Sequence, residues 1–197
     1  MKTITKTYEV YPITELSQQS VENAYYNWLS NCEYFYGSDN ERTLDNFCEL
    51  LQIKCFKWSY DAHTYSFRCE MKQDEAIQSM KGVRLATYIH NNFGYCLFIS
   101  KTYYGKNKKR NSSILKEKSC VLTGYYIDEY ILEPIYRILN KPDKYMDFYS
   151  LIRECLNKYF EACRDDVAHC QSQEYFKEES LVNGREYLSD GTLFSIS

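Results

Sequence analysis

From Asp147 to Cys170 the apolar residues recur at three- and four-residue steps. Phe148, Leu151, Ile152, Cys155, Leu156, Tyr159, Phe160, Cys163, Val167 and Cys170 fall on one face of a helix. Arg153, Glu154, Asn157, Lys158, Arg164, Asp165 and Asp166 fill the other face, and neither Gly nor Pro interrupts the run. At 1.5 Å per residue the pattern predicts a helix roughly 36 Å long, enough to cross a small domain. Its apolar stripe is too rich to face water, so other elements must pack along it.

The rest of the chain alternates between the two periods. Lys2 to Tyr11 alternates polar and apolar residues and predicts a strand ending at Pro12. Ser17 has the chemistry of an N-cap, and Val21, Ala24, Tyr25, Trp28 and Leu29 predict an amphipathic helix over 18–30. Asn40 reads as a second N-cap, before a short helix with Leu44, Phe47, Cys48 and Leu51 inward. Residues 53–60 and 64–71 alternate as the arms of a hairpin turning at Asp61-Ala62-His63. Phe56, Trp58 and Tyr60 share one face of the first arm, and Tyr65, Phe67, Cys69 and Met71 share one face of the second.

Helical spacing resumes from Asp74 to Phe93, with a break at Gly82 and an apolar face of Val83, Leu85, Ala86, Tyr88, Ile89 and Phe93. Residues 95–104 form a short apolar run that fits a strand or a buried helical turn equally well. Asp128 to Leu139 predicts a helix with Ile131, Leu132, Ile135 and Leu139 inward; Pro134 is tolerable there only near the first turn. The short link Asn140-Lys141-Pro142-Asp143 sends the long helix back antiparallel. Ser172 caps a further helix that stops at Asn183-Gly184, and Asp190-Gly191 predicts a closing hairpin turn.

The class these elements predict is α+β: a small antiparallel sheet with helices on one side, then a mainly helical C-terminal half and a terminal β-hairpin. The expected organisation is an α+β region at 1–104, a basic loop at 105–118 and a helical region at 119–197, all within one compact domain.

Composition adds one unusual feature, 21 Tyr and 10 Phe against 7 Gly and 3 Pro among 197 residues. Tyrosine carries a large ring with a polar tip, so such a chain can form an aromatic core with wet edges or expose contact surface. The nine cysteines are odd in number and contain no C-x-x-C pair, and Met1–Val10 lacks the apolar run of a signal peptide. These features predict reduced structural thiols and no zinc site in a cytoplasmic protein. No apolar run approaches 18 residues, which predicts no transmembrane helix and no membrane partner.

Histidine chemistry is sparse. His63 beside Asp61 has the makings of a base with its orienting carboxylate, but the turn position favours an exposed side chain. His90 lies where an imidazole meets helix C-terminal carbonyls, and His169 with Asp165 supplies two metal donors without a third. Asp165-Asp166 and Glu178-Glu179 read as solubilising pairs. There is no Gly-rich phosphate loop, G-x-S-x-G or H-E-x-x-H, so the residues predict neither catalysis nor a cofactor.

Charge segregation is the positive signal. Residues 1–100 carry nine basic and twelve acidic side chains, residues 119–197 eight and fourteen, and residues 101–118 seven and one. The candidate binding residues are therefore Lys101, Tyr103, Tyr104, Lys106, Lys108, Lys109, Arg110, Lys116 and Lys118. Cations track a phosphate backbone and tyrosines stack on bases. The same set also suits an acidic protein surface or a plain solvated loop.

Several blocks carry a resemblance: Cys120-Val-Leu-Thr-Gly-Tyr-Tyr-Ile-Asp128, Ile131-Leu-Glu-Pro-Ile-Tyr136, Lys141-Pro-Asp143, Leu151-Ile-Arg-Glu-Cys-Leu156, Gln171-Ser-Gln-Glu-Tyr175 and Leu188-Ser-Asp-Gly191, with Glu15-Leu-Ser17 near the start. The chain resembles a family of proteins from gut bacteria and their phages and prophages, members of which are sometimes labelled antitoxins. It differs from that pattern at Asp61-Ala62-His63-Thr64, where the family has a glycine-rich turn. The resemblance implies a mobile-element accessory protein and carries over no catalytic residue. With the tyrosines and the charge segregation, it leads to the expectation of a non-enzymatic inhibitor of a host defence system, an anti-CRISPR acting in the host cytoplasm. The expected partner is a Cas nuclease with its guide RNA. An antitoxin that neutralises a toxin by direct binding, and an enzyme with an unrecognised site, are the alternatives.

Overall fold

The computed structural model describes residues 2, 5–94, 96–97, 122, 124 and 126–195. Among these the chain runs β1 (Tyr11–Pro12), a 3-10 turn (Ile13–Glu15), α1 (Gln18–Leu29), α2 (Gly37–Leu50), β2 (Ile53–Tyr60), β3 (Tyr65–Met71), α3 (Glu75–Gln78), α4 (Gly82–Phe93), α5 (Ile127–Asn140), α6 (Phe148–Cys170), α7 (Gln173–Val182) and β4 (Glu186–Tyr187). The class is α+β, with two antiparallel sheets of two strands each, β1–β4 and β2–β3. The elements group into two units, Phe35–Asp165 and Met1–Tyr34 with Asp166–Ser197.

The larger unit is built on α6, as the periodicity predicts. Phe148, Leu151, Ile152, Cys155, Leu156, Tyr159, Phe160 and Cys163 are fully buried. The β2–β3 hairpin lays an aromatic face against this helix: the rings of Trp58, Tyr60, Tyr65 and Phe67 centre 5.0 to 6.4 Å from that of Phe160. Burial of each such side chain contributes about 1.5–3 kcal/mol, which is why the stripe organises the unit. The helix α5 packs against α4 and α2. Arg137 late in α5 donates from Nη2 to both carboxylate oxygens of Glu154 in α6, at 2.6 and 2.7 Å.

Four local expectations are corrected. The helix α2 begins at Gly37, not after Asn40; Asn40 is buried inside it, and its carbonyl accepts the Tyr159 hydroxyl at 2.6 Å. Phe56 does not share a face with Trp58 and Tyr60. A bulge shifts the register between Phe56 and Ser59, with Lys57 in the left-handed region at φ 50°, and so Cys55 faces inward with Trp58 and Tyr60. Val83 is 71% exposed, while Leu85, Ala86 and Ile89 carry the inner face of α4. Pro134 lies in mid-helix, where burial of Ile131, Leu132, Ile135 and Ile138 around it offsets the roughly 3 kcal/mol cost of an interior proline.

The smaller unit joins the ends of the chain. Tyr11 pairs with Tyr187 and Pro12 with Glu186, so among the described residues of the strand expected over 2–11 only Tyr11, with Pro12 after it, is in a strand. Both expected caps are present: Ser17 Oγ accepts from Ser20 N at 3.2 Å, and Ser172 Oγ accepts from Tyr175 N at 3.1 Å. Phe176, Tyr187, Ile13 and Ala24 form the core. The terminal hairpin is closed by the Tyr187–Leu193 bridge and by Phe194 N donating to Glu186 O at 2.8 Å. No described helix is long and apolar enough to cross a membrane.

Candidate interaction surface flanking the basic segment

Lys101, Tyr103, Tyr104, Lys106, Lys108, Lys109, Arg110, Lys116 and Lys118 lie outside the described residues, as does most of the 95–104 run. What the structure places are the flanks of this segment, and α5 holds both. On the N-terminal side Cys96 and Leu97 are buried, and the Tyr136 hydroxyl donates to Leu97 O at 2.9 Å. On the C-terminal side Gly124 N donates to Asp128 Oδ2 at 2.6 Å, and Thr43 of α2 donates to Asp128 Oδ1 at 2.8 Å. Asp128, only 7% exposed, sits in the first turn of α5, where a carboxyl group suits the exposed N–H groups of a helix end.

The Asp128 anchor has a measurable consequence. A hydrogen bond to a carboxyl of this kind contributes about 1.5–3 kcal/mol, so Asp128→Ala is expected to lower unfolding stability by about 3 kcal/mol. Thr43→Val should cost about 1 kcal/mol, because it removes a single donor. Denaturant titration followed by circular dichroism measures both, and an unchanged midpoint for Asp128→Ala refutes the anchor.

Beyond Asp128 the outer face of α5 is aromatic and charged. Tyr126 and Tyr130, four residues apart, are 48% and 46% exposed, and their rings meet edge to face at 5.8 Å. Glu129, Glu133 and Arg137 share that exposed side. Two further exposed tyrosines carry cations over their rings: Lys144 lies 4.7 Å from the centre of Tyr145, and Arg153 6.0 Å from that of Tyr149. Such rings offer flat apolar area at low entropy cost with a hydroxyl at the rim, which suits either a protein surface or stacked bases.

The other singled-out residues are dispersed. His63 is exposed, and its backbone N–H donates to Asp61 Oδ1 at 2.7 Å; that bond and one from Thr64 hold the Asp61 carboxyl below its usual range. The His90 ring faces Asn91 Oδ1 at 3.0 Å. His169 packs edge to face on Tyr175, whereas Asp165 is held by Arg164 at 2.6 Å. Among the described residues no group of three His, Cys, Asp or Glu side chains is arranged to hold a metal ion.

Eight cysteines are described, and none of them is joined in a disulfide. Burial raises the pKa of Cys155 well above the usual thiol range and that of Cys170 to about 11. One grouping was not apparent from the sequence. Cys69 of β3 stands directly opposite Cys55 of β2, and both pack against the core cluster that contains Cys48 of α2. Had the hairpin kept the register of its Tyr60–Tyr65 end, Phe56 would oppose Cys69; the bulge at Lys57 brings the two cysteines level. No family model, curated protein or solved structure was found to match the chain.

Proposed function

We propose that this chain is a non-enzymatic binding protein of phage or other mobile-element origin that engages and inhibits a host defence machine in the host cytoplasm. The leading partner is an RNA-guided Cas nuclease with its guide RNA. The observation that supports this reading is the exposed Tyr126–Tyr130 face of α5, which lies on the helix that anchors both flanks of a segment with seven basic residues and one acidic residue. Cations give long-range attraction to a polyanionic partner, and tyrosines give the contact area that holds it. The family resemblance of residues 120–191 supports the mobile-element setting.

Affinity capture from a host lysate with mass spectrometry identifies the partner, and two variants then test the surface. Replacing Lys106, Lys108, Lys109 and Arg110 together with Ser is expected to leave the melting temperature nearly unchanged. If those side chains contact phosphates, each contact removed lowers the salt slope by about 0.7 to 0.9, so binding weakens most at low salt. Tyr126→Ala with Tyr130→Ala should instead raise the dissociation rate at every salt concentration. Binding unaffected by both variants overturns the reading.

A further inference from the structure

We propose that the outer face of the β2–β3 hairpin, centred on Phe56 among Lys54, Lys57 and Arg68, is a binding platform for single-stranded nucleic acid. The platform does not depend on the identity of the partner proposed above. Tyr65, Phe67, Cys69 and Met71 pack against the core, so strand alternation puts Ser66, Arg68 and Glu70 on the other side of β3, with Lys72 next in the same row. Across the ladder Phe56 pairs with Arg68 and Lys54 with Glu70. One step beyond, Lys72 N donates to Gln52 O at 3.0 Å. Toward the turn, Ser59 pairs with Ser66, their hydroxyl oxygens 3.1 Å apart.

A single outward aromatic is ordinary; what sets Phe56 apart is the backbone that turns it outward. In the register of the Tyr60–Tyr65 end, Phe56 would oppose Cys69 on the core side. The bulge reverses this, and Lys57 within it holds φ at 50°, a left-handed conformation that costs a residue with a side chain. Such backbone persists only where surrounding structure holds it, and it is common at sites that bind. Here it has two effects on one face. Phe56 leaves the aromatic cluster around Phe160, and Lys57 adds an exposed cation beside it.

Charge selects the occupant. Lys54, Lys57, Arg68 and Lys72 are exposed, and none of them makes an ion pair with a carboxylate of the described residues; Glu70 is the one acid in the row. The Lys54 ammonium lies 5.5 Å from the centre of the Phe56 ring, and Arg68 stands directly across the ladder from it. A polyanion satisfies these cations, but an acidic peptide has no use for the ring between them. A single strand does, because its bases and phosphates alternate: one base stacks on Phe56 while its flanking phosphates reach Lys54 and Arg68. A duplex keeps its base faces stacked away from such a ring. The small Ser59–Ser66 pair leaves room beside the ring and offers hydroxyls to sugar or base edges.

The test measures fluorescence anisotropy of labelled oligouridylate and oligothymidylate, each about 12 nucleotides long, with the full chain. The two probes tell RNA from DNA as the source of the strand. Phe56→Ala is expected to weaken binding about tenfold with an unchanged salt slope, the signature of lost stacking. Lys54→Ser with Arg68→Ser should lower the salt slope by about 1.4, since each phosphate contact of a single strand adds roughly 0.7. Glu70→Gln should tighten binding, because it removes the one carboxylate of the face. The Phe56→Ala loss should persist when Lys106, Lys108, Lys109 and Arg110 are all Ser, which separates this face from the basic segment. Photo-crosslinking of a 4-thiouracil oligonucleotide to the unsubstituted protein should map to β2 or β3, and it decides the matter even where a variant fails to fold. Absence of oligonucleotide binding, full affinity in Phe56→Ala, crosslinks confined to other elements, or displacement of the strand by polyglutamate as readily as by unlabelled oligonucleotide overturns the proposal.

Discussion

Leu156→Asp is expected to yield no soluble, cooperatively folding protein. Leu156 is fully buried in the middle of the α6 stripe, among Ile152, Cys155, Tyr159 and Phe160, all equally buried. Removing the side chain alone costs about 2–5 kcal/mol, and placing an unpaired carboxyl there adds several more. Domains of this kind have about 5–15 kcal/mol in total, so the sum reaches the whole stability. Lys158→Asp, two residues on, is the matched control. Lys158 is an exposed-side residue whose ammonium reaches Glu161 at 3.4 Å with both side chains 44% exposed, an ion pair of little net value. Its loss, with the like-charge neighbour created, should cost about 0.5 kcal/mol. Soluble yield and urea unfolding followed at 222 nm compare the two, with Leu156→Ala as an intermediate. Equal melting of the Asp variants would mean that the buried face of α6 has been assigned wrongly.

That experiment probes the part of the fold most legible in the sequence. A long run with no helix breaker fixes its own buried face, and the α6 stripe matches the periodicity from Phe148 to Val167. The caps at Ser17 and Ser172 were equally legible, because side-chain capping is a local event. What stayed hidden depends on non-local packing or on backbone choices that composition does not advertise. Alternation put Phe56 with Trp58, but Lys57 takes a left-handed turn without being glycine, and every inward position before it moves by one. The thiol grouping was hidden for the same reason. Val83 borders the apolar stripe of α4 but faces outward because Leu85, Ala86 and Ile89 fill the inner side, and Pro134 is tolerated beyond the first turn because the gain from burying its neighbours is tertiary. The pairing of Tyr11–Pro12 with Glu186–Tyr187 joins opposite ends of the chain, and two-residue strands have no period to read. At the candidate surface the sequence singled out the cationic segment itself, whereas the Asp128 and Tyr136 anchors and the Tyr126–Tyr130 face required α5 to be folded and its neighbours in place.

The terminal turn gives a second large and specific effect. Gly191→Ala is expected to destabilise the smaller unit by more than about 3 kcal/mol, well above the usual cost of a surface substitution. Gly191 has φ 92°, outside the range comfortable for a residue with a side chain, and a Cβ there would stand 2.1 Å from Ser20 O and 3.1 Å from Ala24 N. Those atoms are the backbone of α1, which cannot rotate away as a side chain would. The same approach lets Ser20 donate from its hydroxyl to Ser189 O at 2.7 Å and Asn23 donate from its amide to Asp190 O at 3.3 Å, so moving the turn outward also breaks these bonds. Gly184→Ala separates the two contributions. Gly184 has φ 59° but nothing within 4 Å of the added Cβ, so only the backbone term applies and the loss should be about 1 kcal/mol. Hydrogen exchange localises the effect: in Gly191→Ala the amides of α1 and α7 should lose protection while the buried amides of α6 between Leu151 and Tyr159 keep theirs. Equal losses for the two glycine variants would show that turn conformation alone, and not the close approach to α1, holds this end of the chain.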